Sequence, residues 1–325
     1  MPVVSRLFAK LAGIVFTILV IATINFLLIH STPGDPALVI AGQSGATDAK
    51  FIEQVRAQYG LDQPFIVQLG TYIGKILQFD LGYSYRQQTA VSQLILERLG
   101  PTLLLTLSAF FLSLIGGVLF GALAGQRQGK WSDLVISLLS LLLYATPVFW
   151  LGLMLVLIFS IQLEWLPAFG YAGIRAASFG PIEYALDVAR HLILPVITLA
   201  AIYMAVYTRL MRSSLIEVSH EDHVRTARAK GLSEPQILSR HMLRNAAVPV
   251  VTFAGMQAGA LIGGAVVVET VFSWPGLGRL TYDAVTARDY PVLLGLFLIM
   301  SILVIATNLL SDFLHRLIDP RIKGR

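Results

Sequence analysis

The residues that could do chemistry are few, and most sit in one stretch, Ser219–Arg244, SHEDHVRTARAKGLSEPQILSRHMLR. It opens on His220-Glu221-Asp222-His223, which begins like the H-E-x-x-H helix of zinc hydrolases, where two His one turn apart hold the metal and the Glu serves as base. Val224 stands where the second His is needed, so the pattern fails as a zinc site. A nucleotide loop fares no better. Gly129-Lys130 is the nearest approach to G-x-x-x-x-G-K-[S/T], with Ala124 in place of the first Gly and Trp131 in place of the hydroxyl residue. The chain has no Cys, which excludes disulfides, thiol catalysis and Cys-ligated metal. No Ser or Asp pair in the apolar segments forms a nucleophile and base for proteolysis within a membrane. Those segments also lack the charged residues that mark ion and proton pathways. The chain shows no energy source of its own.

The stretch itself is patterned as two short helices around a glycine. Ser219 followed by Asp222 predicts a capping box and a helix start, and Ser233 with Gln236 predicts a second one, with Glu234 and Pro235 in a first helical turn. Gly231 falls between them, where a left-handed C-cap is wanted. The whole plug lies between two apolar segments.

The elements that carry it are read from composition. Of 325 residues, 56% are hydrophobic and 13% charged, against roughly 25% charged in soluble domains. The deficit is concentrated in uncharged runs at Leu11–Ile29, Thr102–Gly125, Leu134–Ile161, His191–Thr208, Ala246–Val268 and Pro291–Ser311. Each is about the length a spanning helix needs, so the expected fold class is all-α: a polytopic membrane protein of six transmembrane helices in one domain, 1–325. The first run lacks a small-residue cleavage site and reads as an uncleaved span. Between spans one and two, Phe65, Ile66, Leu69, Ile73, Ile76 and Leu77 recur at helical spacing and predict an amphipathic helix on or near the membrane surface.

Orientation follows from basic residues. Alternation from the N-terminus puts Arg6, Lys10, Arg127, Lys130, Arg209, Arg212, the Arg and Lys residues of the plug, and Arg316, Arg321, Lys323 and Arg325 on one side. That side is expected to be cytoplasmic, with both termini and the plug. Trp165, Tyr171, Trp274 and Tyr290 fit an interfacial aromatic belt on the other. Pro147, Pro195 and Pro249 lie inside apolar runs and can kink them, while Pro101 and Pro291 fall at expected span starts. Gly117, Gly121 and Gly125 form one small-residue ladder and Gly255, Gly259 and Gly263 another. Such ladders serve either a subunit interface or packing within the chain.

At this point a resemblance applies. Arg225-Thr226-Ala227-Arg228-Ala229-Lys230-Gly231 is similar to the E-A-A-x-x-x-G loop of the membrane subunits of ATP-binding-cassette (ABC) importers. The fuller string, Glu221–Leu232 with His241–Ala246, resembles the dipeptide/oligopeptide/nickel branch. So do Pro33-Gly34-Asp35-Pro36, Gly60-Leu61-Asp62-Gln63-Pro64, Gly82-Tyr83-Ser84, Glu269 with Phe272–Gly278, and Arg288-Asp289-Tyr290-Pro291. The match runs almost end to end and is most like the first, B-type, subunit. Arg225 and Thr226 depart from the general Glu and first Ala, and Arg244 stands where the general loop has Pro.

The resemblance implies a type I ABC importer permease fold and a multi-pass subunit of the bacterial cytoplasmic (inner) membrane. It implies import of short peptides or similar small solutes, with nickel chelates, glutathione and peptide or polyamine export as alternatives. The implied partners are a homologous second permease subunit, two ABC ATPase subunits, an extracytoplasmic substrate-binding protein and the bilayer, with no nucleic acid. The chain is expected to bind no cofactor, ATP and Mg residing on the ATPases, and not to be an enzyme. In such a subunit 216–245 is the cytoplasmic coupling loop, carried by Glu221, Asp222, Arg225, Thr226, Ala227, Arg228, Ala229, Lys230, Gly231 and Leu232. Ala227 and Ala229 would allow close approach, and the basic residues would meet acidic groups on the ATPase. The segment 31–100 is extracytoplasmic and, with Val271–Tyr290, would receive the binding protein, although Trp274-Pro275-Gly276 also reads as a plain turn. Gly255, Gln257, Gly259 and Gly263 are candidates for the translocation path or a subunit interface. A membrane-embedded hydrolase would need a paired nucleophile and base, and a stand-alone carrier a buried ionisable residue. Neither is seen in the runs.

Overall fold

The computed structural model describes residues 2–30, 49–59 and 62–318. The motifs at Pro33–Pro36 and at Gly60 and Leu61, and the basic residues Arg321, Lys323 and Arg325, lie outside the described residues. In chain order the elements are α1 (Pro2–His30), α2 (Ala49–Tyr59), α3 (Phe65–Leu77), a hairpin of β1 (Tyr83–Ser84) and β2 (Thr89–Ala90), and α4 (Val91–Gln126). Then come α5 (Trp131–Ala145), α6 (Val148–Leu155) with a π-helical turn Val156–Gln162, α7 (Pro181–Ser219) and α8 (Asp222–Ala229). The last are α9 (Glu234–Ile237), a π-helical turn Leu238–Met242 leading into α10 (Leu243–Val271), α11 (Leu277–Ala287) and α12 (Tyr290–Ile318). An all-α chain is what uncharged runs dictate, because in hydrocarbon each backbone N–H and C=O must be satisfied within its own segment.

Among the described residues, α4, α7 and Tyr290–Ser311 of α12 are each long and apolar enough to cross a bilayer unbroken. Two further candidates are bent: Trp131–Gln162, and Glu234–Val271 between Leu261 and Ala265. Pro147 produces the first bend, at which the axis turns by 109° between α5 and the stretch Val148–Gln162. Its ring fixes φ at −61° and its ψ of 135° turns the chain out of the helix. Pro195 and Pro249 sit inside α7 and α10, which continue through them. Pro101 was expected at a span start. It lies well inside α4, which begins at Val91 because Gln93, Glu97 and Arg98 are good helix formers.

The chain forms two compact units: Met1–Gly100 with Arg279–Ile305, and Pro101–Gly278 with Ala306–Arg325. In the first, α3 lies along α1, with the Phe26 ring 5.3 Å from Phe65 and 5.5 Å from Tyr72. The amphipathic helix expected around Phe65–Leu77 is therefore α3, and Ile66 and Leu77 stand out from it exposed. The hairpin is fastened by the buried Ser84 hydroxyl, which donates to Asp289 Oδ2 at 2.6 Å. Asp289 in turn caps α12, accepting from the Val292 N–H.

In the second unit α7 is the central element. One apolar cluster joins Leu105, Val156, Leu199, Leu261, Val268, Phe272 and Trp274, and another joins Tyr207, Met211, Leu215, Val224, Ile237, Met242 and Val250. The first glycine ladder serves packing within the chain. A Cβ at Gly117 would lie 2.4 Å from Tyr207 Cβ, and one at Gly121 would lie 2.5 Å from the Thr208 carbonyl oxygen. Only glycine lets α4 and α7 approach so closely, and the gain is dispersion between backbones. At the far end of the same contact, Arg212 on α7 forks onto the buried Asp133 at the start of α5, Nε to Oδ1 at 2.5 Å and Nη2 to Oδ2 at 2.8 Å. The Gly129 N–H also donates to Asp133, at 2.9 Å.

Candidate coupling loop

The plug begins later than its sequence suggests. The Ser219–Asp222 capping box is absent, because α7 runs on through Ser219 and the Ser219 hydroxyl donates back to the Ile216 carbonyl at 2.7 Å. His220 closes α7, and Glu221 is the extended residue from which α8 starts. The other two signals match the fold. Ser233 and Gln236 form a capping box at α9, with Pro235 in the first turn. Gly231 takes φ +77°, a conformation that L-residues other than glycine adopt at a cost. Around it the Gly231 N–H donates to the Arg228 carbonyl at 2.9 Å and the Leu232 N–H to the Ala227 carbonyl at 3.3 Å. That paired closure is a Schellman motif, and it turns the chain sharply at the end of α8.

α8 has two faces. Val224 is fully buried and Ala227 is 4% exposed, both packed in the cluster of Leu215, Val218, Ile237 and Met242. Asp222, Arg225, Thr226, Arg228, Ala229, Lys230 and Gly231 are exposed, as is Glu221, and Leu232 is half-buried under the turn. Of the two small residues expected to allow a partner's approach, Ala229 alone faces outward. Ala227 is a core contact, chosen small because α8 lies so near its support. The exposed basic groups also divide. Arg228 forks onto Glu234, Nε to Oε1 at 2.8 Å and Nη2 to Oε2 at 3.3 Å, which ties α8 to α9 across the turn. That hydrogen bond holds the Glu234 carboxyl below the ordinary carboxylate range, so the pairing is present at neutral pH and is lost as pH falls through the lowered value. Both groups are exposed, and the pair orients more than it stabilises. Arg225 reaches Asp222 only at 3.6 Å, both side chains largely in solvent.

His223, considered above as part of a zinc pattern, is a strut. Its Nε2 lies 3.2 Å from the Asn245 amide nitrogen of α10 and 3.4 Å from the His241 carbonyl oxygen, and its Nδ1 lies 3.0 Å from Glu221. Among the described residues no three His, Cys, Asp or Glu side chains gather as a metal site.

The candidates on α10 do not form one surface. The Gly255 carbonyl accepts the Ser311 hydroxyl of α12 at 2.7 Å, Gly259 is buried, Gln257 is half-buried and Gly263 is exposed with open space around it. Gly255 borders an apolar cavity of about 240 Å³ whose walls include Leu107, Phe110, Phe111 and Leu261, and Gln257 is not among its lining residues. Sequence reasoning missed the buried Asp133, which lies at the start of a run, and named Glu269 only as part of a family string; just past the end of another run, it lies inside α10 as folded and is fully buried.

Comparison with known proteins adds the following. The family described as "Binding-protein-dependent transport system inner membrane component" matches residues 117–324, and the family of its N-terminal region, "Binding-prot-dependent transport system membrane comp, N-term", matches residues 3–106. A "Putative peptide transport system permease protein" of Brucella suis biovar 1 (strain 1330) is 40% identical over 313 residues, 96% of this chain and 97% of that one. The "Glutathione transport system permease protein GsiC" of Salmonella choleraesuis (strain SC-B67) is 43% identical over 314 residues, again 97% of each. Among solved structures, an inward-facing MetNI methionine ABC transporter aligns with TM-score 0.55 at 17% identity, covering 70% of this chain and 97% of that one. An amino acid ABC transporter aligns with TM-score 0.52 at 19% identity, covering 69% and 94%.

Proposed function

The chain belongs to the family of binding-protein-dependent transport system inner membrane components, and from that premise we propose that it passes short peptides, or small solutes of similar size such as glutathione, through the membrane as one permease subunit of an ATP-driven importer. The observation that carries this reading is end-to-end identity of 40–43% with permeases named for peptide and glutathione transport. α1 supplies the sixth span alongside the three unbroken and two bent ones, and both termini and α8 face the cytoplasm. A homologous second subunit completes the pore, two ATPases bind from the cytoplasm, and a binding protein delivers solute from outside.

Energy enters at α8. Its outward face, Asp222, Arg225, Thr226, Ala229 and Lys230, seats in a groove on an ATPase, while Arg228, tied to Glu234, sets the angle of the helix rather than the contact. Closure of the ATPases on ATP moves α8, and Val224 and Ala227 pass the motion to α7 and α10 through the cluster in which they are buried. The exposed pairs on this face are individually weak, so recognition rests on shape and on the summed charge.

Two measurements test this. The natural chain has no Cys, so Arg225→Cys and Ile174→Cys carry one thiol each. In right-side-out vesicles a membrane-impermeant maleimide is expected to label Ile174→Cys directly and Arg225→Cys only after the vesicles are opened. The reverse pattern would invert the orientation. The assembled complex, with its binding protein in proteoliposomes, is expected to take up a labelled di- or tripeptide only when ATP is enclosed on the α8 side, and the chain alone to bind no nucleotide. Uptake driven by an ion gradient without ATP, or stoichiometric ATP binding by the isolated chain, would overturn the reading.

A further inference from the structure

The fully buried Glu269 is not used by the coupling loop, yet it lies at the centre of a dense set of bonds at the end of the second unit remote from α8. Its Oε1 accepts the Thr102 hydroxyl at 2.7 Å, and the Thr102 oxygen accepts the Leu277 N–H at 2.7 Å. The Leu277 N–H can only donate, so it takes one lone pair of the Thr102 oxygen, and the hydroxyl proton is free to go to Glu269 Oε1. Leu277 is the first residue of α11, so the acid lies beside the positive end of that helix, where negative charge is favoured. Gly276 makes the approach possible, since a Cβ there would stand 2.1 Å from Glu269 Oε1.

The segment between α10 and α11 is tied in by four more contacts. The Trp274 N–H donates to the Glu269 carbonyl at 2.8 Å, with Ser273 left-handed at φ +54°. The Trp274 indole, with no exposure, donates to the Pro101 carbonyl of α4 at 2.9 Å. The Tyr171 ring lies 4.8 Å from that of Trp274, and the Gly170 N–H donates to the Phe272 carbonyl at 2.9 Å. One buried carboxyl group thus stands where α4, α10, the start of α11 and the segment after α6 meet.

We propose that Glu269 is a positioning residue that makes the loop Phe272–Gly278 and the adjoining ends of α4 and α10 one rigid piece, so that a protein docking on that side moves both helices together. Covalent continuity alone would let the loop yield. The Glu269–Thr102–Leu277 chain opposes that freedom, because a shift of the loop would break two short hydrogen bonds in a buried site. This inference rests on the permease reading, and its experiment separates the two.

In the reconstituted complex, ATPase activity is titrated with the loaded binding protein for the wild type, Glu269→Ala, Glu269→Gln and Thr102→Val. Thr102→Val keeps the side-chain shape and removes only the bridging hydroxyl, and co-purification of the ATPases checks that each variant is assembled. Glu269→Ala and Thr102→Val are expected to lower the maximal stimulated-to-unstimulated ratio about ten-fold, within the usual range of coupling between sites, with the half-saturating concentration of binding protein near its wild-type value. Glu269→Gln, whose amide oxygen still accepts the Thr102 proton, is expected to recover most of the ratio. Wild-type stimulation in Glu269→Ala and Thr102→Val, equal loss in Ala and Gln, or a change confined to the half-saturating concentration would overturn the proposal. A wild-type complex indifferent to the binding protein would overturn the permease reading, and this inference with it.

Discussion

Arg212→Ala is expected to remove most of the folded protein from the membrane, whereas Asp133→Leu with Arg212→Met is expected to restore it. Asp133 is 5% exposed and holds its charge through two hydrogen bonds from Arg212, one from the Gly129 N–H and a longer one from the Ser137 hydroxyl at 3.3 Å. Deleting the guanidinium leaves a desolvated carboxylate with two neutral donors, the Gly129 N–H and the Ser137 hydroxyl, a change that costs roughly 3–5 kcal/mol in buried pairs. Arg212 keeps 31% exposure, which lets water reach the site and places the loss at the low end of that range. Replacing both partners by apolar residues of similar volume removes the uncompensated charge and is near neutral in other proteins. Thermal unfolding of the detergent-solubilised chain, followed by loss of monodisperse protein, separates the outcomes. A single variant as stable as the wild type would show that solvent, not Arg212, satisfies Asp133. The same fork holds the part of α7 that leads into α8.

Gly231→Pro is the second large effect. Proline holds φ near −65° and lacks an N–H, while Gly231 sits at φ +77° and its N–H closes the end of α8 on Arg228. The turn cannot form, so α8 is expected to lose its angle and transport to stop while the spans still insert. Gly231→Ala keeps the N–H and strains the backbone by about 1–2 kcal/mol, so partial transport is expected. Ala227→Trp should resemble the proline variant for a different reason. At 4% exposure there is no room for an indole without lifting α8 off Ile237 and Met242. Co-purification of the ATPases and ATP-driven uptake, measured together, check this. Normal uptake in Gly231→Pro would show that the shape of the turn is irrelevant to energy transfer.

Much of this was legible in the residues. Long uncharged runs announce helices by composition alone, and Gly231, the Ser233–Gln236 box and Pro147 act through backbone rules that need no partner. What escaped depends on pairs far apart in sequence. Thr102 and Glu269 are 167 positions apart and Asp133 and Arg212 are 79 apart, and no periodicity couples such positions. The Ser219 box failed through competition, since a hydroxyl at a helix end can satisfy the preceding turn as readily as the next one. The close approach expected at Ala227 rests on small size, which suits a tight interface and a tight core alike, and only burial separates them. Left-handed residues at Phe79, Ser273 and Arg288 carried no glycine to give them away.

The bend at Pro147 also bears on how the protein is made. α5 and the helical stretch Val148–Gln162 have 15 residues each, about 22 Å at 1.5 Å per residue, against a hydrocarbon thickness of about 30 Å. Neither half alone reaches across that thickness, and only the two together are long enough to cross. The residues that pack against both halves belong to α7, which starts at Pro181 and is synthesised later. The nascent chain therefore enters the bilayer before the partner of its sharpest corner exists, and the corner is finished only when that later helix arrives.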